Sequence, residues 1–544
     1  MAKIVTVGQM KRIEQAADAG GWSYDNMMLR AGQAVAEAVL WRLPDPGGKE
    51  ALILVGPGNN GGDGLVAGAR LAEQGMRVTA YLVRPRPAPD PHTANLRALG
   101  GQVQGPDDDR HAMLERFAGT ADVIVDAVLG TGFTLPMRAE LAATLRSAQQ
   151  AIERRRPRPL RVAVDCPSGL DCDSGAVADS AIAADVTVTL AAAKPGLLQF
   201  PGAGLVGEIV VADIGLKPDM RELTEVQMEL AELKTVRGWL PQRPPDSHKG
   251  TFGTAVIAGG SVNYPGSAGL AAAGAYRVGA GLVCLAVPGA IHGLLVSLIP
   301  EATWLILPQE MGVIAEAAAD VLRGRAAGVE VLLVGPGIGR EETTRKFLAR
   351  LLQPAEAGGR ARIGFIHSQA EAAPSMVTLP QLIVDADGLR LLAELEGWPA
   401  LLPAGTILTP HPGEMEALTG LDTATIQSNR EGVARDWALQ WGHIVVLKGA
   451  HTVVASPDGR AWVLPYATAA LAKAGTGDVL AGAIAGFCAQ GVSPAEAAVL
   501  AGTLHGRAGV LAAGEAGSTA GVLAGDVARH LPAAIAELES MPAS

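Results

Sequence analysis

Ala51-Leu-Ile-Leu-Val-Gly-Pro-Gly-Asn-Asn-Gly-Gly-Asp-Gly64 joins an unbroken apolar run to five glycines and then to the helical stretch Leu65-Val-Ala-Gly-Ala-Arg-Leu-Ala72. A strand that is apolar on both faces belongs inside a parallel sheet covered by helices. The same grammar recurs in both directions from this segment. A helical lead-in covers Gln9 to Arg42, and further strands are read at Arg77–Val83, Asp122–Val125, Arg161–Val164 and Asp185–Leu190. A second block has strands at Thr254–Ala258, Leu282–Val287, Val331–Val334, Leu382–Val384, Thr406–Leu408 and His443–Leu447, with a long alanine-rich helix from Thr476. Strand–helix alternation of this kind predicts α/β architecture with parallel sheets in three layers. The stretch Lys217–Lys249 is charged and poor in strand signals, so the junction is placed there, between domains at 1–225 and 229–540.

A chain of 544 residues exceeds what one hydrophobic core usually supports. Its net charge of −11 argues against a nucleic-acid partner, which would call for a basic face. Phosphate ligands remain compatible, because glycine turns and helix N-termini hold anions without net positive charge. The four cysteines have neither zinc spacing nor a disulfide framework, and read as free thiols of a reducing compartment. Met1–Gln9 has no signal-peptide core and no apolar run reaches membrane-spanning length, so the expected location is the cytoplasm.

In the first block Gly56, Gly58 and Gly61 match G-x-G-x-x-G. The next strand ends Tyr81-Leu-Val-Arg84 without the acid that would hold a ribose, which disfavours an ordinary nicotinamide dehydrogenase. The glycines allow close backbone approach to a ligand at a helix start. A tight turn with no ligand is the plainer alternative, but two Asn and one Asp among the glycines need partners. Two more polar turns fall at strand ends: Asp126-Ala-Val-Leu-Gly-Thr-Gly132 and Asp165-Cys-Pro-Ser-Gly169. Ligands of open α/β sheets gather at such ends. Each aspartate alone reads as a turn or cap residue; the case for a site rests on three such turns in one sheet.

These motifs over most of residues 1–220 resemble the NAD(P)H-hydrate epimerase family. The resemblance implies a Rossmann-like domain in which Asn59, Asn60, Gly61, Gly62 and Asp63, together with Gly130, Thr131, Gly132, Phe133, Thr134, Leu135 and Pro136, contact the hydrated nucleotide. It puts Asp165 at the reacting ring and a potassium ion on Asn60, Asp126 and Ser168. The residue types suit the reaction. A ring carbon bonded to nitrogen loses its hydroxyl to a nitrogen-stabilised cation and regains it on the other face, with a carboxylate moving the proton. Asp165 is favoured for that role.

In the second block Ala474-Gly-Thr-Gly-Asp-Val-Leu-Ala-Gly482 opens the long helix. Gly475 and Gly477 expose amides at a helix N-terminus, an anion hole, and Asp478 is placed as general base. Thr-Gly-Asp is also good capping chemistry, although capping does not need glycines on both sides of Thr476. No G-x-x-x-x-G-K-[ST] is present, so this is not a Walker loop. The pattern resembles the ribokinase superfamily.

With Lys249-Gly-Thr-Phe-Gly253, Ala258-Gly-Gly-Ser261, Tyr264-Pro-Gly-Ser267, Gly335-Pro-Gly337, Asp385-Ala-Asp387, Thr409-Pro-His-Pro-Gly-Glu414 and Lys448-Gly-Ala-His-Thr452, residues 229–535 look like the ADP-dependent NAD(P)H-hydrate dehydratases. The resemblance implies that Ser267, Gly337, His411 and Asp478 contact the hydrated nucleotide, and that Lys448, Gly449, Ala450, His451, Thr452 and Gly477 contact ADP or AMP. His411 alone reads more readily as a buried loop histidine than as a ligand contact, and Lys448 at a strand end reads also as a solvated cation. Thr468-Ala-Ala-Leu-Ala-Lys473 departs from the Asn-Pro pair usual before the glycine turn.

The implied reaction is loss of water assisted by phosphorylation, with Mg²⁺ neutralising the phosphates. The expected activity is epimerisation of the R and S hydrates (NADHX and NADPHX) and ADP-dependent dehydration of the S form. The rival is a ribokinase-type small-molecule kinase carrying a non-catalytic N-terminal module. Neither nucleic acid nor membrane is expected as a partner, whereas assembly of like chains is.

Overall fold

A computed structural model describes residues 2–106, 111–326, 328–353 and 379–541. The chain divides into two compact units, Ala2–Leu230 and Ala231–Ser544, and mixed α/β layering with a parallel sheet is found in each, as the strand–helix alternation predicts.

The first unit opens with helices α1 (Val7–Ala19) and α2 (Tyr24–Arg42), where one continuous helical lead-in was expected. The break at Gly20–Ser23 has a local cause: Ser23 caps α2 by accepting from the Asn26 amide, and Gly20 ends α1. Strands β1 (Glu50–Val55), β2 (Arg77–Leu82), β3 (Gln102–Gln104), β4 (Val123–Ala127), β5 (Leu160–Val164), β6 (Val186–Leu190) and β7 (Glu208–Ala212) form a seven-stranded sheet in the order 3-2-1-4-5-6-7. Every pairing is parallel. β3 and β7 were not legible in the sequence because they are edge strands with partly exposed residues, which lack the fully apolar signature. One core packs α2 and α3 (Asn59–Glu73) on one sheet face, and a second packs Leu114, Leu145 and Ile152 on the other.

Chain direction across the sheet reverses between β1 and β4, and the crevice at such a point is where ligands bind. α3 starts at Asn59 with Gly58 as its cap, so the polar run Asn59–Asp63 already lies within the helix and only Gly56–Gly58 forms the connection. A Cβ at Gly56 would overlap the carbonyl oxygen of Val128, the residue after β4. Gly56→Ala is therefore expected to destabilise this unit by about 2–4 kcal/mol and to abolish its activity. Thermal unfolding read in parallel with epimerisation and dehydration assays checks this, the second unit's dehydration being retained.

In the second unit β8 (Thr254–Ala258), β9 (Leu282–Pro288), β10 (Thr303–Leu307), β11 (Val331–Val334), β12 (Gln381–Val384), β13 (Ile407–Leu408), β14 (Ile444–Leu447), β15 (Val453–Ala455) and β16 (Ala461–Val463) run in the order 10-9-8-11-12-13-14-15-16. The pairings are parallel from β10 to β14, and antiparallel from β14 to β16. The direction switch lies between β8 and β11, whose following turns are joined by a 2.8 Å bond from the Gly260 amide to the Pro336 carbonyl. α4 (Pro265–Arg277) crosses α6 (Thr476–Ala489) closely, with Gly274 and Gly482 meeting the facing helix backbone where a Cβ would collide. α5 (Pro412–Thr419) and the buried α7 (Pro494–Ala516) complete the frame of this unit. Among the described residues no helix is long and apolar enough to cross a membrane.

Candidate active sites

In the first unit the turns after β1, β4 and β5 converge. The Asp126 carboxylate, buried at the end of β4, accepts from the Ser168 amide at 2.8 Å, the Ser168 hydroxyl at 2.5 Å and the Val128 amide at 3.3 Å. The Ser168 hydroxyl in turn accepts from the Leu129 amide at 2.9 Å, and Asn60 donates to the Leu129 carbonyl at 3.1 Å. Asn60 and Ser168 thus meet at Leu129, Asp126 holds Ser168 from behind, and the Asn60 Oδ1 lies beside Gly130. Burial pushes the Asp126 carboxyl up, and its hydrogen bonds come from neutral groups.

Asp165 holds a left-handed backbone, φ +66°, which a non-glycine residue adopts only where its surroundings impose it. Its carboxylate is held by Lys194, fully buried and 2.5 Å from Asp165 Oδ1, and by the Leu190 amide, which donates to the same oxygen at 3.2 Å. Lys194 also donates to Thr189 Oγ1 and to the Leu190 carbonyl, both at 3.0 Å. Asp63, buried near the start of α3, and Glu14 of α1 both feel the Asp165 carboxylate. Burial first, then the field of Asp165, raises both carboxyls, Asp63 well above the usual range.

Lys194 and Glu14 were missed in the sequence. A signal existed for each: Lys194 sits in Ala191-Ala-Ala-Lys-Pro-Gly, a charge in an apolar turn after a strand, and Glu14 lies four residues after Met10 on the buried face of α1. Arg86 was missed too; it donates to the Gly56 and Gly58 carbonyls at 2.7 and 2.8 Å and fixes the glycine turn. Of the expected substrate contacts, Gly61 and Gly62 face inward against the Gly56 carbonyl and Met28, while Asn59 and the Gly132–Pro136 turn form an exposed lip. Cys166 and Cys172 are free thiols 2.8 Å apart.

In the second unit five strand ends supply one rim. Asp478, in the first turn of α6, accepts a hydrogen bond from Ser267 of α4, and burial followed by the field of Asp385 lifts its carboxyl to about 7. Gly337, at φ +63°, abuts Ser267 so closely that a Cβ would lie 2.8 Å from its hydroxyl oxygen. Asp385 is 1% exposed and accepts from Thr409 at 2.6 Å and from Lys448 at 2.7 Å. Lys448 lies 3.6 Å from Glu414, and the Cβ position of Gly477 is 3.5 Å from its ammonium. Ser267, Gly337, Asp478, Lys448 and Gly477 therefore meet in one place, and Lys448 is not a solvated cation. Burial opposes its charge, but Asp385 and Glu414 outweigh that and raise its pKa.

His411 is the N-cap of α5: its Nδ1 accepts from the Gly413 and Glu414 amides at 3.0 and 3.3 Å, and Glu414 bonds back to the His411 amide at 2.8 Å. It is half exposed, not buried. Burial, then Lys448 and Arg390, lowers its pKa, and Nε2 stands 3.3 Å from Glu414, whose own carboxyl burial raises to about 7. The N-cap of α6 is Gly475 in the left-handed region, with no side chain bonded to the helix amides. Side-chain capping thus does not account for Thr476-Gly-Asp478; the Thr476 amide donates to the Lys473 carbonyl at 3.4 Å, and a helix start without a side-chain cap is one that favours an anion. The His451 ring is buried on the Leu464 carbonyl at 3.1 Å, and its amide donates to the Tyr466 carbonyl at 3.0 Å.

Two parallel-sheet units, each collecting glycine turns, helix amides and carboxylates at its ligand-binding rim, define an enzyme of acid–base and phosphate chemistry. Residues 24–196 match the family described as YjeF-related protein N-terminus, and residues 255–533 match NAD(P)H-hydrate dehydratase. The chain is 35% identical to the bifunctional NAD(P)H-hydrate repair enzyme Nnr of Moorella thermoacetica, over 98% of this chain and 97% of that one. It is 32% identical to the enzyme of the same name from Escherichia coli, over 94% and 90%. A solved ADP/ATP-dependent NAD(P)H-hydrate dehydratase from Bacillus subtilis aligns with 57% of the chain and 98% of its own, at 31% identity and a TM-score of 0.45. The chain belongs to the family of bifunctional NAD(P)H-hydrate repair enzymes, an epimerase and a dehydratase on one polypeptide.

Proposed function

We propose that the first unit, Ala2–Leu230, interconverts the R and S forms of hydrated NADH and NADPH, and that the second, Ala231–Ser544, dehydrates the S form at the expense of ADP. The observation that carries the second assignment is the buried Asp478, its carboxyl lifted to about 7 beside uncapped helix amides: a base poised at neutral pH next to an anion hole. The ring hydroxyl attacks the terminal phosphoryl of ADP, Asp478 takes its proton, and AMP departs as the new O–P bond forms. The ring nitrogen's electrons then expel phosphate, and loss of a ring proton restores the reduced nicotinamide. Ser267, Gly337 and His411 border the ring. Lys448–Thr452 and Gly477 take the nucleotide, Lys448 being held ready by Asp385 and Glu414.

Mg²⁺ would supply charge neutralisation to the phosphates, and such an ion usually needs only one or two carboxylates from protein. Asp387, just after β12, accepts from the Gly339 amide at 3.1 Å through one carboxylate oxygen and would offer the other to the ion. In the first unit Asn60, Asp126 and Ser168 would hold K⁺. The buried Asp126 charge, bonded only by neutral donors, supports a cation there. Asp165 moves the proton as the hydroxyl leaves and returns.

The test is recovery of the reduced-nicotinamide absorbance from hydrated NADH, with ADP and ATP compared. Full recovery of both epimers with ADP, and release of AMP and phosphate, is expected. A phosphorylated product that accumulates without absorbance recovery would instead indicate a small-molecule kinase.

A further inference from the structure

Arg430, the first residue of the helix Arg430–Trp441, sits behind the turn that follows β14. Its Nη2 donates to the Leu447 carbonyl at 2.8 Å, on the residue before Lys448, and its Nη1 donates to Gln427 Oε1 at 2.7 Å. The guanidinium lies flat against the α-carbon of Gly449: a Cβ there would come within 2.8 Å of Nη2, 2.9 Å of Nη1 and 3.1 Å of Cζ. Gly449 also holds φ +152°, so both its backbone and its bare face are fitted to this side chain. Buried Nε has no hydrogen-bond partner.

The recorded acceptors are neutral oxygens, and the acidic group whose field reaches the guanidinium is Glu431, the next residue. Burial lowers the Arg430 pKa only to about 10, so the group is charged at neutral pH, and its field in turn lowers His451. A desolvated cation with neutral partners is costly unless an anion compensates it. The turn it supports is the one assigned above to the nucleotide.

We infer that Arg430 is a positioning residue for the nucleotide: it clamps the Leu447–Gly449 turn by the Leu447 carbonyl and sets a buried positive charge behind it, which the phosphates of ADP satisfy beyond what the neighbouring Glu431 supplies. This rests on the reading that Lys448–Thr452 takes ADP. A planar fork is what lets one side chain bond Leu447 and Gln427 together while stacking on Gly449.

The full chain is used for the test. In wild type, ADP is expected to slow amide hydrogen exchange across residues 448–452. In Arg430→Met the KM for ADP should rise about tenfold, with kcat and the KM for the hydrate within about twofold. Arg430→Lys keeps the charge without the fork and should return the KM for ADP to within about threefold of wild type. Protection of 448–452 by ADP in wild type, together with an unchanged KM for ADP in Arg430→Met, overturns the role of Arg430 alone. A loss that falls on kcat overturns it equally, as does one that Arg430→Lys fails to reduce. Absence of protection in wild type overturns the nucleotide assignment of the turn, and this inference with it.

Discussion

Asp478→Asn is expected to cut ADP-dependent recovery of NADH from its hydrate by roughly a thousandfold or more for both epimers, while R and S hydrates continue to interconvert at the wild-type rate. Asparagine fills the same space and can still take a hydrogen bond from Ser267, so what is lost is the ability to accept the hydroxyl proton. The wild-type pH profile should show the same group. With the carboxyl lifted from its usual 3.8 to about 7, dehydration rises as pH passes through neutrality, because only the ionised form is a base.

Stability moves the other way. A carboxyl whose folded pKa lies above its unfolded one contributes stability that is fully present below the unfolded value and is lost as pH rises through the folded one. The variant should therefore be more stable than wild type at pH 8, by at most about 4 kcal/mol, with the difference vanishing as the pH falls toward 4. Thermal unfolding at the two pH values, alongside the absorbance assay, checks both. Unchanged dehydration in the variant would remove Asp478 from the chemistry. Equal stability at both pH values would mean that its burial does not perturb it.

Period and composition made the parallel architecture legible, because an apolar run such as Leu52–Val55 followed by glycines has few other uses. The same rules missed β3, β7, β10, β15 and β16. The outer strands of the first sheet carry exposed residues, as does β10, and the others are only three residues long, too short for a period to register. At the sites, residues that announce themselves by chemistry at a turn, such as Asp126, Asp165, Asp385 and Asp478, could be read locally. Lys194 and Glu14 left only a local hint and Arg430 none, and the roles of all three were hidden, since each acts through a partner 17 to 151 positions away and sequence spacing carries no such proximity. His411 shows a third case: position was legible, but its capping of α5 and its pairing with Glu414 appear only when the turn is folded.

Asp165→Asn should leave only the S share of a mixed hydrate recoverable on the fast timescale, the R share returning at the uncatalysed epimerisation rate. Lys194→Met should do the same to activity and more to stability. It strands the buried Asp165 carboxylate, which now loses its 2.5 Å partner while Asp63 and Glu14 remain facing it. Removing one member of a buried pair costs about 3–5 kcal/mol, whereas removing both can be close to neutral. The double variant Asp165→Asn with Lys194→Met is accordingly expected to regain most of the stability that Lys194→Met loses, and none of the epimerisation. This pattern separates a cation that holds a working carboxylate from one that merely fills space. If Lys194→Met kept R-form recovery near the wild-type rate, Asp165 would not depend on its partner. If the double variant unfolded as readily as the single one, the pair's energy would lie in Lys194's bonds to Thr189 and Leu190 rather than in the Asp165 charge.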